Sequence, residues 1–170
     1  MNSLNISLPY DYVTNLINLT WSDLLFAVEQ GYMSREAAVE HAINIVGKEK
    51  EKTHQKVLEL ACLTNEESNF WYIDELLNQI YEQDGSSSRD KFLFLLLNWI
   101  FEHKELYLDP LEMVENIYAD FNYPEKISEF VRYMPSKRTI TSLVKLNTAY
   151  LYNRWKEFLE QERVKYFLAE

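Results

Sequence analysis

Glycine and proline are scarce in this chain, three and four residues out of 170, well below the roughly 7% and 5% of soluble proteins. A sandwich or barrel turns often and tightly, and so few turn formers do not supply one. Three widely spaced glycines also exclude a phosphate-cradling P-loop and a Gly-rich dinucleotide-binding turn. A Gly-x-Ser-x-Gly nucleophile elbow and a His-Glu-x-x-His zinc motif are absent as well. The one cysteine, Cys62, cannot form an internal disulfide, which fits a reducing compartment. No basic residue precedes Arg35, so the positive start of a secretory signal is missing. The longest apolar run, Phe92 to Phe101 broken only by Asn98, is half of the about 20 residues that span a bilayer. The sequons at Asn5 and Asn18 have meaning only with an export signal. The expectation is a cytoplasmic protein with no membrane contact.

What the chain does have is apolar residues at helical spacing. It is 47% hydrophobic and 15% aromatic, enough for a packed core. Trp21, Leu24, Leu25 and Val28 recur at i, i+3, i+4, i+7, with Thr20 and Asp23 as a capping box and Gly31 as the stop. A second helix from Ser34 carries Ala38, His41, Ala42 and Ile45 and is expected to end at Gly47. A third places His54, Val57, Leu58 and Ala61 in register. A fourth carries Ile73, Leu76, Leu77 and Ile80. After the linker Gly85 to Ser88, a fifth helix is apolar nearly all round, which belongs at the centre of a fold. Asp109-Pro110-Leu111-Glu112 reads as a helix start, with Asp109 as N-cap. That sixth helix presents Leu111, Val114, Tyr118 and Phe121. Pro124 opens a seventh on Ile127, Phe130, Val131 and Met134, ending at Pro135. A long last helix runs from about Thr141 toward Phe167. Residues 1–19 are left as an N-terminal arm, or a short strand at 7–16. The expected fold is all-α, one domain over residues 1–170, with seven to eight helices around a central apolar helix at 89–103.

Few residues offer chemistry. His41, His54 and His103 all fall on apolar stripes, so the bland reading is core or core-edge histidines. If helices two and three form a hairpin about Gly47, His41 and His54 lie nearly opposite each other, and Glu51 precedes His54 by three residues. That set could hold a metal, but a carboxylate-bridged pair of metals needs a second Glu-x-x-His, which is missing. Cys62 follows Ala61 with no basic neighbour, which predicts a packed, unreactive thiol. Ala27-x-x-x-Gly31 has the spacing of a helix-turn-helix, yet Glu36 and Glu40 on its second helix are a poor match to phosphates. No cofactor motif is recognised, and nucleic acid is not expected as a partner.

Charge is the informative feature. Asp and Glu outnumber Lys and Arg by 27 to 17, a formal net charge of −10. Residues 65–84 hold Glu66, Glu67, Asp74, Glu75, Glu82 and Asp84 without a single Lys or Arg. Residues 105–130 hold seven carboxylates, among them Glu112, Glu115 and Asp120, against Lys126 alone. Basic residues are displaced to 48–56 and 132–165. An acidic face keeps a protein soluble, and it also steers a basic protein partner onto itself.

Tyr118-Ala119-Asp120-Phe121-Asn122-Tyr123-Pro124, followed by Arg132-Tyr133-Met134-Pro135, resembles the signature of a bacterial family of unknown function, domain-of-unknown-function family 2247. Asn98-Trp99 and the Trp21-x-x-Leu24 helix are similar too, so the likeness covers about residues 12–160. The resemblance implies no established activity; it implies that small proteins of this type can accompany polymorphic toxins as immunity factors. The stretch reads as a turn between helices six and seven, with Tyr123 held extended before Pro124. The aromatics of this stretch read first as packing residues and alternatively as anchors of a binding surface, for which Tyr123 joins the acidic residues as a candidate.

The leading expectation is a non-enzymatic acidic interaction protein that neutralises a basic toxin domain. A small enzyme using His41, Glu51 and His54 and a helical structural adaptor are the alternatives. The sequence leaves the oligomeric state open.

Overall fold

A computed structural model of the chain describes residues 2–49, 54–64, 66–81, 87–132 and 148–168. Among them there is no strand, and the protein is all-α. The helices are α1 (Tyr10–Leu16), α2 (Trp21–Gln30), α3 (Arg35–Glu49), α4 (Gln55–Ala61), α5 (Phe70–Ile80), α6 (Ser88–Glu102), α7 (Pro110–Asp120) and α8 (Thr148–Leu168). Short 3-10 turns lie at Glu67–Asn69, Lys104–Leu106 and Glu125–Phe130. The chain divides into two compact units, Asn5–Ser88 and the combination of Met1–Leu4 with Arg89–Glu170.

In the first unit α3 packs on α4 and α5, and α2 packs on α5. The apolar stripe of α5 is buried as its spacing dictates, with Ile73, Leu76, Leu77 and Ile80 all in the core. Thr20 and Asp23 form the expected capping box: Asp23 N donates to Thr20 Oγ1, and Thr20 N donates to Asp23 Oδ2. Asp23 is fully buried, and its other oxygen accepts from the Ser88 hydroxyl at 2.7 Å. Gly31 ends α2 with φ of 80°, a conformation that disfavours any side chain. The segment that the sequence left as an arm or strand holds α1, whose Val13 is wholly buried; Ile17 just beyond it is buried too.

Gly47 does not end a helix. It lies inside α3, which continues to Glu49, and a Cβ added there would meet nothing within 4 Å. A glycine weakens a helix without being able to stop one when the chain on both sides keeps its hydrogen bonds.

In the second unit α6 is buried on nearly every side, including Phe92 to Asn98 and Ile100. Asn98, the one polar break in that run, has a partner at both side-chain polar atoms. It accepts from Arg163 Nη2 on α8 at 2.7 Å and donates to Glu102 at 3.0 Å. Trp155 of α8 is buried against Phe101, Phe130 and Tyr152. The segment after Pro124 is a 3-10 turn, Glu125–Phe130, and not a full helix. Ile127, Phe130 and Val131 nevertheless all face the core. Met134, Pro135 and the start of the last helix at Thr141 lie outside the described residues.

Candidate binding face

Helix α5 separates its side chains cleanly. The core stripe occupies one side, and Trp71, Asp74, Glu75 and Asn78 occupy the other. Trp71 stands at the middle of the outer side and is 68% exposed. Its ring lies 5.5 Å from that of Tyr72, whose hydroxyl donates to Glu59 at 2.9 Å, so the indole rests against a fixed neighbour. Glu66 and Glu67, in the turn leading into α5, are exposed, as is Glu75. Among the described residues no cation pairs with these three carboxylates.

Asp74 differs. The Arg35 guanidinium donates to both its oxygens, at 2.8 and 2.9 Å, and lies 4.6 Å from the centre of the Phe70 ring. This ties the start of α3 to the start of α5, and the carboxylate holds Arg35 above its usual pKa. Glu82 and Asp84 lie outside the described residues.

The second acidic stretch is mostly engaged within its own unit. Arg132 bonds Glu115 at 2.7 Å and Asp109 at 2.9 Å. Asp109 stands at the N-cap of α7, yet makes no side-chain cap bond; its carboxylate goes to Arg132 instead. Asp120 accepts from both the backbone N–H and the hydroxyl of Ser3, at 2.9 and 2.7 Å. Arg154 reaches Glu129 at 3.6 Å. Glu112 remains exposed.

Tyr123 is not extended. Asn122 and Tyr123 are both left-handed, with φ of 60° and 58°. Tyr123 N–H donates to the Tyr118 carbonyl at 2.8 Å and Asn122 N–H to that of Ala119 at 3.1 Å. That pair of bonds is a Schellman motif closing α7, and the Tyr118–Tyr123 ring contact at 5.2 Å is its accompanying apolar contact. The need to satisfy the last carbonyls of α7 overrides the preference that Pro124 imposes on the residue before it. Tyr123 remains 59% exposed.

The histidines do separate work. His41 is buried, its Nδ1 2.8 Å from the Tyr10 hydroxyl and its ring packed edge-on to Trp21 at 4.7 Å. Asn44 donates to the same hydroxyl. Burial first, and the charge of Lys48 second, push the His41 pKa down to about 4. His54 is exposed rather than in a stripe; its Nδ1 accepts from Lys56 N–H and caps α4. His103 bonds the Trp99 carbonyl through Nδ1 and stacks on the Trp99 ring. Glu51 lies outside the described residues, and among those described no cluster of three His, Cys, Asp or Glu could hold a metal. Cys62 is exposed at the C-cap of α4, not packed, because α4 stops at Ala61 and turns the stripe away from it. No helix among the described residues is long and apolar enough to cross a membrane.

Residues 10–163 match the model of an uncharacterised protein family conserved in bacteria, DUF2247. The chain belongs to that family. In this DUF2247 protein the matched span takes in both units, from α1 well into α8. No curated protein and no solved structure gave a match. What sequence spacing missed in this family member is Trp71. Its signal was a large aromatic on the side of the helix opposite the Ile73, Leu76, Leu77, Ile80 stripe.

Proposed function

We propose that this protein is a non-enzymatic binding protein that uses the outer face of α5 to hold a basic protein partner, in the manner of an immunity protein that neutralises a toxin domain. The observation that carries the reading is Trp71, 68% exposed on the outer face of a helix that also carries exposed Glu75 and that follows a turn with exposed Glu66 and Glu67. Tryptophan is the residue type most enriched where binding energy concentrates, and a surrounding ring of charge sets partner choice and encounter rate. The net charge of −10 extends the same attraction over a longer range. The second acidic stretch contributes less, because Asp109, Glu115, Asp120 and Glu129 already have partners. His41 and His54 support the non-enzymatic side of the reading, since one holds α1 and the other caps α4.

Native purification from the source bacterium, followed by mass spectrometry, tests this. The wild-type chain is expected to bring down a basic protein in fixed ratio and to protect cells expressing it. A variant with Glu66, Glu67 and Glu75 changed to Lys is expected to lose both properties. A wild-type chain that comes away alone, or a variant that retains the same protein, contradicts the proposal.

A further inference from the structure

The pair of groups that holds Arg35 recurs one residue further along α5, on the side that faces water. Phe70 and Asp74 are four residues apart. Between them they hold a guanidinium, with two N–H bonds of 2.8 and 2.9 Å to the carboxylate and the ring centre 4.6 Å from Cζ. Trp71 and Glu75 have the same spacing, so indole and carboxylate share one face. Helical side chains lean toward the N-terminus, which brings Glu75 back over the turn that bears Trp71. Glu75 accepts one hydrogen bond, a 3.4 Å contact from Gln79. Among the described residues no cation lies on Trp71 or pairs with Glu75.

We propose that Trp71 and Glu75 receive an arginine side chain of the partner, stacked on the indole and bonded to the carboxylate as Arg35 is held by Phe70 and Asp74. Glu67, exposed in the turn that leads into α5, adds negative charge to the same segment. The chemistry selects arginine over lysine. A guanidinium is planar, stacks on an aromatic face and offers two parallel N–H groups to one carboxylate. An ammonium is a more strongly hydrated point charge. Tryptophan is also the best aromatic partner for a cation. The partner surface is therefore a basic segment with arginine at its centre. This inference rests on the reading of the α5 face as the binding face.

The test is calorimetric titration of the full chain, at low salt, with oligoarginine and oligolysine peptides of equal length. Oligoarginine is expected to bind the wild type about two- to fivefold more tightly, the range of an exposed cation–π contact. That preference is expected to vanish in Trp71→Leu and to fall in Glu75→Gln, with circular dichroism unchanged in both. Equal affinity for the two peptides, or an arginine preference that survives Trp71→Leu, overturns the arginine seat. Binding of both peptides undiminished in the Glu66→Lys, Glu67→Lys, Glu75→Lys variant instead overturns the binding face itself.

Discussion

Gly47 and Asn122 are a glycine where none is required and a non-glycine where the backbone favours one. Gly47 is helical, exposed and open to a Cβ. Gly47→Ala is therefore expected to raise stability by about 0.5–1 kcal/mol in urea denaturation, since it removes the entropy a glycine loses on folding. A loss of stability would mean that α3 does not run through this position. Asn122, at φ of 60°, is the C′ residue of the motif closing α7. Asn122→Ala is expected to cost roughly 1 kcal/mol, because alanine lacks asparagine's tolerance for the left-handed region, while Asn122→Gly is expected to cost nothing.

His41 sets a pH dependence at the same scale. Above pH 6.5 the ring is neutral in folded and unfolded chains alike. As pH falls from 6.5 toward 4, the unfolded chain takes up a proton that the buried ring, with its pKa lowered to about 4, refuses. Stability is therefore lost across that window, and the loss levels off below it at about 3 kcal/mol. A His41→Leu variant is expected to lose that slope in urea titrations run between pH 7 and 4. An NMR midpoint for the His41 ring near 6.5 would contradict its burial.

At the scale of elements, the helices with strong stripes were legible. Ile73, Leu76, Leu77 and Ile80 in α5, and Phe92 to Leu97 in α6, are all buried. In both, apolar spacing and packing demand agree. What was hidden depended on partners distant in sequence or on chain ends. Asp109 looks like a cap until Arg132 takes its carboxylate. Glu125–Phe130 has the residues of a helix and closes as a 3-10 turn that packs on α8. Tyr123 abandons the extended state to complete a cap. His54 looks like a stripe residue because its helix starts one position later than the spacing implies. The acidic stretch at 65–84 was visible as charge, but the Arg35 clasp on Asp74 could not be, lying 39 residues away in sequence. That clasp joins α3 to α5 at a partly exposed site, so a double-mutant cycle on Arg35→Ala and Asp74→Ala is expected to give a coupling of about 0.5–1 kcal/mol. A coupling of zero would mean that the two helices are held by apolar contact alone.

For the whole molecule, the charge of −10 resolves into two kinds of carboxylate. Asp109, Glu115, Asp120 and Glu129, on α7 and its flanks, hold one unit's own arginines and its Ser3, and so serve folding. Those around Trp71 face water beside an exposed indole, and the proposed binding rests on them. A backbone amide footprint distinguishes these roles most directly, with the full chain titrated with oligoarginine at low salt and followed by nitrogen-15 NMR. The prediction is a compact set of shifts over residues 66–78 together with the Trp71 indole N–H, reversed by added salt. Shifts spread evenly over both acidic stretches, or centred on α7, would show that the α5 face is not where a basic partner binds.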